Sequence, residues 1–500
     1  MQALLVPLGE LADFQEIRRA EKKGKGILQI AGCVNTQKTH LMYALGDGFE
    51  YRVIAFSSEE KAKKAYEEYR IFTDQVYLYP ARDLLFYHAD IKGKTLTDQR
   101  MEVLRALIEK KEQESIAVIT TMDAFLDGLP RPEEIRNQKI TIDTDSTLDL
   151  TRLERELAEL GYERESQIEG PGQFAVRGGI IDVFPLTEEL PVRIELWGDE
   201  IDSIRSFDVE SQRSVENLDG ITIYPASENW KTGLGAVSFL EYFPEEKSIL
   251  FLDEPQHLQE AAETVEQEYF QSRENRIEAG VEEGEDSLTV FQVKDIIGQM
   301  NCYSGIGLTT LESKCGMFHV RQTYSIQAKS VNPYNNSFEL LTRDLKRLKR
   351  SGYRVVLLSA SRTRAKRLAE DLRDYDLSSF YSDDMEREVN PGEIMAASGY
   401  AAEGYEYPML KFMVISESDI FGRKKKKKRH RRYEGQKIQD FAELKPGDYV
   451  VHENHGIGVY QGIEKIEVDK IVKDYMKISY AEGGVLYIPV AQMDLIQKYA

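Results

Sequence analysis

The sequence predicts a multidomain chain of mixed α/β and α+β class. Its parts are a parallel sheet interrupted by an inserted antiparallel α+β domain, a small α/β domain, and a C-terminal β-barrel. Three observations predict it. Over the first ~130 residues apolar runs alternate with amphipathic helical stretches, as βαβ units require. Beyond Lys139 the spacing becomes a strict two-residue alternation between turn residues, the period of antiparallel strands. The last ~65 residues hold only short strands and Gly-rich turns. Five hundred residues suffice for about three to four domains of ~150 residues each.

Residues 1–137 read as the first part of the α/β domain, with strands at Ile27–Ala31, Tyr51–Ser57, Gln75–Leu78 and Ile116–Thr121. Helices are expected over Glu59–Glu68 and Thr97–Lys111, with a helical stretch from Thr39 to Leu45. Residues 138–215 read as the insert. It opens on a helix with Leu150, Leu153, Leu157 and Leu160 on one face and Gly161 as its stop. Strands follow at Gln173–Val176, Ile180–Phe184, Val192–Trp197 and Glu200–Phe207. Residues 216–330 return to the α/β style, and their clearest strand runs from Ser248 into two acids, Asp253 and Glu254. Residues 331–421 read as a small α/β domain: a helix, the strand Arg354–Ser359, the helix Thr363–Arg373 and the strand Leu410–Ile415. Residues 422–436 form a basic linker and 437–500 the barrel. The barrel's expected strands are Tyr449–His452, Gly458–Glu467, Asp474–Tyr480 and Val485–Pro489, with turns at Lys445–Asp448 and Ala481–Gly484.

Composition bounds the function classes. A hydrophobic fraction of 41% and a charged fraction of 30% suit globular domains. No run of 18 apolar residues occurs, and Met1-Gln-Ala-Leu-Leu-Val-Pro lacks the basic start of a secretory signal. Cys33, Cys302 and Cys315 are widely spaced, with no paired metal or redox pattern, and fit a reducing cytoplasm. A net charge of −21 argues against the whole surface gripping DNA. The exception is Arg423 to Arg432, where nine of ten residues are Lys or Arg. Such a run is a solvated linker, a sequence-independent contact to nucleic acid through Lys424, Lys425, Lys426, Lys427 and Lys428, or both.

Gly32-Cys-Val-Asn-Thr-Gln-Lys38-Thr39 follows an apolar strand and nearly matches the phosphate-binding pattern G-x-x-x-x-G-K-[ST]. The second glycine lets backbone N–H groups wrap the β-phosphate, and here it is Gln37. A side chain there crowds the phosphate. Gly32, Gln37, Lys38 and Thr39 therefore read as a vestigial loop in a degenerate RecA/P-loop-like sheet. Asp253 and Glu254 stand where such enzymes hold Mg²⁺ and position water, and read as its vestigial acidic partner. An unrelated strand–turn–helix, and an acidic strand end without metal, are the bland alternatives.

In the insert, period two puts Val192, Ile194 and Leu196 on one side of a strand and Arg193, Glu195 and Trp197 on the other. The aliphatic side belongs to the core. Trp197, one of two tryptophans, is thus pushed outward beside an arginine, the composition of an interface hot spot. Arg177 falls on the outer side of its own strand. Trp197 folding back over the Gly198 turn is the alternative. His452 and His455 lack a third ligand and are not read as a metal site. No carboxylate pair, Ser/His/Asp set or Cys/His pair is legible as a catalytic centre.

Three features together resemble one family. They are the broken loop, the insert with Arg177-Gly-Gly-Ile-Ile-Asp-Val-Phe-Pro185 and Arg193-Ile-Glu-Leu-Trp-Gly-Asp-Glu-Ile201, and the terminal Val450-Val-His-Glu-Asn-His-Gly-Ile-Gly458. They occur in this order in the bacterial transcription-repair coupling factors. The first two also resemble the excision-repair protein UvrB, and the last the polymerase-interacting domain of CarD-type regulators, an SH3/Tudor-like barrel. The resemblance implies that UvrA binds at Arg177, Arg193 and Trp197, and that the RNA polymerase β subunit docks at Lys465, Ile466 and Glu467. In this family an ATP- and Mg-dependent translocase motor lies C-terminal to the barrel and makes most of the non-specific contact with double-stranded DNA. Because the sequence stops at Ala500, the expectation is a cytoplasmic, nucleoid-associated, monomeric adaptor with no catalytic residues and no cofactor of its own. The alternatives are a UvrB-like ATP-dependent helicase and a CarD-like DNA-binding regulator.

Overall fold

The computed structural model describes residues 1–22, 24–82, 84, 94–226, 235–278, 289–422, 435–437, 446–452, 456–468, 471–479, 485–489 and 496–499. The chain forms two compact units. The larger holds three sheets and a two-stranded pair. Its main sheet is seven-stranded and wholly parallel, in the order Val320–Ser325, Gly26–Ala31, Ser304–Thr309, Ser248–Asp253, Tyr51–Phe56, Ile116–Thr121, Val76–Tyr79. Three of its interior strands, Gly26–Ala31, Ser248–Asp253 and Ile116–Thr121, are buried at every position, as strands covered on both faces must be.

The insert springs from between strands of this sheet. Ile140–Asp143 pairs antiparallel with Gly220–Ile223 at its base. Above it a six-stranded sheet runs Ser214–Asn217, Glu200–Phe207, Val192–Trp197, Ile180–Phe184, Gln173–Arg177, Glu163–Arg164, antiparallel except at its last pair. The Leu150–Glu159 helix packs Leu153 and Leu157 against Phe174, Ile181, Val183 and Ile194 of one face. Asp149 caps its first turn by accepting from the Arg152 N–H, and Gly161, at φ 87°, follows its end.

The second α/β sheet runs Lys329–Ser330, Tyr405–Tyr407, Phe412–Ser416, Arg354–Ser359, Ile394–Ser398, Phe380–Tyr381. Its last four strands are parallel, and Tyr405–Tyr407 runs antiparallel to both of its neighbours. Alternate residues divide its faces. Val355, Leu357, Ile394 and Ala396 face the helices Phe338–Arg350 and Arg362–Arg373, while Val356, Leu358, Met395 and Ala397 join the core of the seven-stranded sheet.

The smaller unit carries a six-stranded antiparallel sheet in the order Gly435–Lys437, Ile496–Tyr499, Tyr449–His452, Gly456–Val468, Ile471–Ser479, Val485–Pro489. Among the described residues no pairing joins the first of these strands to the last, so the closed barrel expected here is not seen in them. The expected turn at Ala481–Gly484 lies outside the described residues. Among the described residues no helix is long and apolar enough to cross a membrane.

Candidate functional site

The phosphate-loop residues take a different shape from the one their spacing predicts. The helix begins at Asn35, before the lysine, so only Gly32, Cys33 and Val34 are left between strand and helix. Gln37 lies in the first turn and is fully buried. Its Oε1 accepts the Val34 N–H at 3.0 Å, so the glutamine closes the helix start itself. Gly32 is required by packing. At φ +84° its position leaves a Cβ only 2.0 Å from the Ile326 carbonyl oxygen.

Lys38 crosses the intervening Ser304–Thr309 strand to reach both acids. Its Nζ donates to Asp253 Oδ1 at 2.6 Å and to Glu254 Oε1 at 2.7 Å. Burial alone would depress the ammonium pKa, but the two carboxylates raise it above its ordinary value. Burial also pushes against Glu254, yet hydrogen bonds from Lys38 and from the Thr310 N–H and hydroxyl hold its carboxyl below the usual range. Glu254 adopts φ 52°, a left-handed conformation costly for a side-chain-bearing residue, to make these contacts. Thr39 donates to Glu68 Oε2 at 3.0 Å, and Thr36 to Glu68 Oε1 at 2.7 Å. Lys38 thus touches the two acids expected to partner the loop, 215 and 216 residues away. What the sequence misses is that Glu68 takes up both threonine hydroxyls. A cavity of about 480 Å³ remains beside them, lined by Lys38, Thr39, Lys61, Lys64, Asp253 and Glu254.

The side of the loop helix away from the acids meets the second α/β domain. Gln37 Nε2 donates to the Tyr407 hydroxyl at 2.9 Å, and that hydroxyl lies 3.0 Å from His40 Nδ1. His40 Nε2 lies 2.9 Å from the Leu4 carbonyl. The directions are forced: Nε2–H donates to Leu4, so Nδ1 accepts from Tyr407, whose oxygen accepts from Gln37. Burial pulls the His40 pKa down to about 4, which keeps the ring neutral. Glu68 accepts the Ala402 N–H as well, and Asn35 donates to Glu403. None of these partners was read from the sequence. A buried His at i+3 from a buried Gln on one helix face was the available signal.

On the insert's sheet, strand register puts Arg177, Asp182, Arg193, Glu195 and Trp197 on one face. Arg193 grips Asp182 with two bonds, Nε at 2.6 Å and a terminal nitrogen at 2.9 Å, and Arg177 donates to the same carboxylate. Asp182 is only 1% exposed. The Arg193 guanidinium also lies 4.3 Å from the Phe207 ring centroid and bonds Gln212. This side is therefore partly buried. Ile168, Ala175, Phe184 and Phe207 form a small cluster there, which two-residue alternation alone did not foretell. Trp197 is 84% exposed at the mouth of the hairpin loop Gly198–Asp199, so it does not fold back over Gly198. Gly198, at φ 68°, supplies the positive φ that a two-residue hairpin turn needs.

Lys465, Ile466 and Glu467 lie near the end of the Gly456–Val468 strand, paired with Asp474, Lys473 and Val472. His452 ends the Tyr449–His452 strand, while His455 and the run Lys424 to Lys428 fall outside the described residues. Among the described residues no group of three His, Cys, Asp or Glu side chains could hold a metal ion. Cys33 is buried, and its thiol is pushed up to about 12.

Comparison with known proteins follows the same division of the chain. Residues 140–229 match the UvrB interaction domain, and residues 444–500 the CarD-like/TRCF RID domain. The transcription-repair-coupling factor of Bacillus subtilis (strain 168) is 30% identical over 488 residues, covering 85% of this chain and 40% of its own length. That of Staphylococcus haemolyticus (strain JCSC1435) is 27% identical over 486 residues, and that of Staphylococcus aureus (strain MRSA252) 29% over 492. Each match covers 85% of this chain and 41% of the relative, so the chain spans about two fifths of the length of these relatives. With a UvrB interaction domain followed by a CarD-like/TRCF RID domain, the chain resembles the N-terminal part of the transcription-repair-coupling factors.

Proposed function

We propose that this chain is a docking platform that joins RNA polymerase to excision repair, binding UvrA through the insert and the polymerase β subunit through the C-terminal sheet. The observation that carries the reading is the exposed Trp197 on the same sheet face as the Arg177–Asp182–Arg193 cluster. An aromatic anchor next to arginines held in fixed rotamers loses little entropy on binding, which is how interface hot spots work. Polymerase contact at Lys465, Ile466 and Glu467 rests on their place in the strand matched by the CarD-like/TRCF RID domain.

In this reading the chain uses neither ATP nor Mg²⁺ at the vestigial loop. Lys38, Thr39 and the helix start are already committed to Asp253, Glu254, Glu68 and Gln37. Any phosphate would have to break those bonds first.

Pull-down of purified UvrA and of the polymerase β subunit tests the proposal. Trp197→Ala removes UvrA, at least ten-fold by band intensity, and leaves β bound and the melting temperature unchanged, since the side chain is exposed. Ile466→Arg does the converse. Arg193→Ala is a poorer probe: it strips a buried carboxylate of its bidentate partner and lowers the melting temperature as well. UvrA retained at full strength by Trp197→Ala overturns the assignment.

A further inference from the structure

We propose that the helices Phe338–Arg350 and Arg362–Arg373 form a docking face for the phosphate backbone of duplex DNA. Both helices pack on the same face of the second α/β sheet, through Leu341, Leu345 and Leu348 of the first and Ala365, Leu368 and Leu372 of the second. The opposite sheet face is consumed by the core shared with the seven-stranded sheet. Among the described residues, the outer side of the helix layer is thus left to solvent.

That surface is cationic in a chain of net charge −21. The two helices carry ten Lys and Arg against four Asp and Glu. On the first, Arg343, Lys346, Arg347 and Arg350 recur at i, i+3, i+4 and i+7, which is one face of a helix. Seven residues at 1.5 Å rise make that row about 10 Å long, the rise of about three base-pair steps. Arg364 is spent on Glu417 at 2.6 Å, and Arg347 lies 3.7 Å from Asp344. Among the described residues Arg343, Lys346, Arg350, Arg362, Lys366 and Arg367 take part in no ion pair, unlike Arg177 and Arg193 of the insert. Lys366 lies 5.1 Å from the Tyr381 ring centroid, a neutral partner that leaves its charge uncompensated. Like charges on one face without counter-charges cost stability, and an anion relieves them.

The chemistry of the face favours a polyphosphate over a protein. Seven of the ten cations are arginine, whose planar fork matches phosphate oxygens. Leu340 is the one large hydrophobic side chain that the two helices expose, so the face lacks the desolvated anchors of a protein interface. The exposed aromatic beside these helices, Tyr375, follows the second helix and packs against Phe338 of the first at 5.3 Å, one pair rather than the row of rings on which a single strand would stack.

Fluorescence anisotropy of the full chain with a labelled duplex, across a salt series, tests this. The variant Arg343→Gln/Lys346→Gln/Arg347→Gln/Arg350→Gln is expected to weaken binding at least ten-fold near 0.1 M salt. It should also shrink the slope of log K against log salt by about 3 to 4, at about 0.9 per lost phosphate contact. Arg362→Gln/Lys366→Gln/Arg367→Gln should act the same way, which guards against one variant misfolding. Both are repeated with Lys424 to Lys428 changed to glutamine, so that the basic run cannot mask the helices. The proposal is overturned if both variants keep affinity and slope. It is equally overturned if Lys63→Gln/Arg155→Gln, which neutralises exposed cations elsewhere, loses as much. Displacement of the duplex by polyglutamate at lower charge concentration than by unlabelled DNA would also overturn it, making the occupant an acidic protein segment.

Discussion

Glu21, at the end of the Phe14–Glu21 helix, is buried with neither carboxylate oxygen hydrogen-bonded. Burial pushes its pKa up to about 8, against the opposing pull of Arg18 and Lys22. A folded-state pKa above the unfolded one means that the native state holds the proton more tightly. The contribution is therefore complete below pH ~4.5 and is lost as pH rises towards about 8. Glu21→Met keeps the length and removes the ionisable group. It should raise stability at pH 8 by about 1 to 4 kcal/mol, with the gain shrinking below pH ~5. Urea unfolding at both pH values checks this, and a gain independent of pH would refute the titration. Arg193 teaches the complementary lesson. Period two placed it on the outer face, but only the register shows that Asp182 sits beside it, directly across on the preceding strand.

At the scale of the element, the helix Asn35–Leu45 decides what the vestigial loop can do. A glycine-to-glutamine change predicts crowding of a phosphate. The glutamine instead starts the helix early and ties it to a neighbour, through the Val34 N–H and the Tyr407 hydroxyl. Restoring the motif with Gln37→Gly should therefore not restore nucleotide binding, since Lys38 stays locked between Asp253 and Glu254. The same change should cost about 1 to 3 kcal/mol, from the lost bonds and the glycine in a first turn. Calorimetric titration with MgATP and thermal melts check both halves. Heat of binding in the variant would mean that Gln37 alone blocks the site. Parallel strands such as Ser248–Asp253 were legible because four consecutive apolar residues between turn signals read as a buried strand at that length. Strands such as Ile394–Ser398, the edge strand Val320–Ser325 and the helix Val293–Met300 were missed. Their short or polar sequences become strand or helix only through tertiary neighbours. In the site, the loop was legible from its motif and the acids from their place at the end of an apolar strand. Glu68 and Tyr407 were not, because nothing local marks a side chain whose partners lie 29 and 32 residues away, as for Glu68, or on the second α/β sheet, as for Tyr407.

Across the larger unit, the two α/β layers behave as one body because their cores are continuous. Leu41 and Phe56 of the first pack in one cluster with Val356, Tyr405 and Phe412 of the second. Polar joints inside such a core must be fully satisfied or they weaken it. The Gln37–Tyr407–His40–Leu4 chain meets that demand by giving Gln37 Nε2, the Tyr407 hydroxyl and His40 Nε2 an acceptor each. It does so only while His40 is neutral, since a proton on Nδ1 would face the Tyr407 hydroxyl as a second donor. The folded pKa of about 4 lies below the ordinary 6.5, so the unfolded chain binds the proton more readily. Stability is complete above pH ~6.5 and falls as pH drops towards about 4, by about 3 kcal/mol at most. His40→Gln keeps hydrogen-bonding capacity without that titration. It should be less stable than the parent at pH 7.5, with the difference narrowing as pH approaches ~4.5. Guanidinium melts of both proteins across this range measure the gap. A gap that stays constant with pH would show that the ring is already charged in the native state, or that water reaches the joint between the two α/β layers.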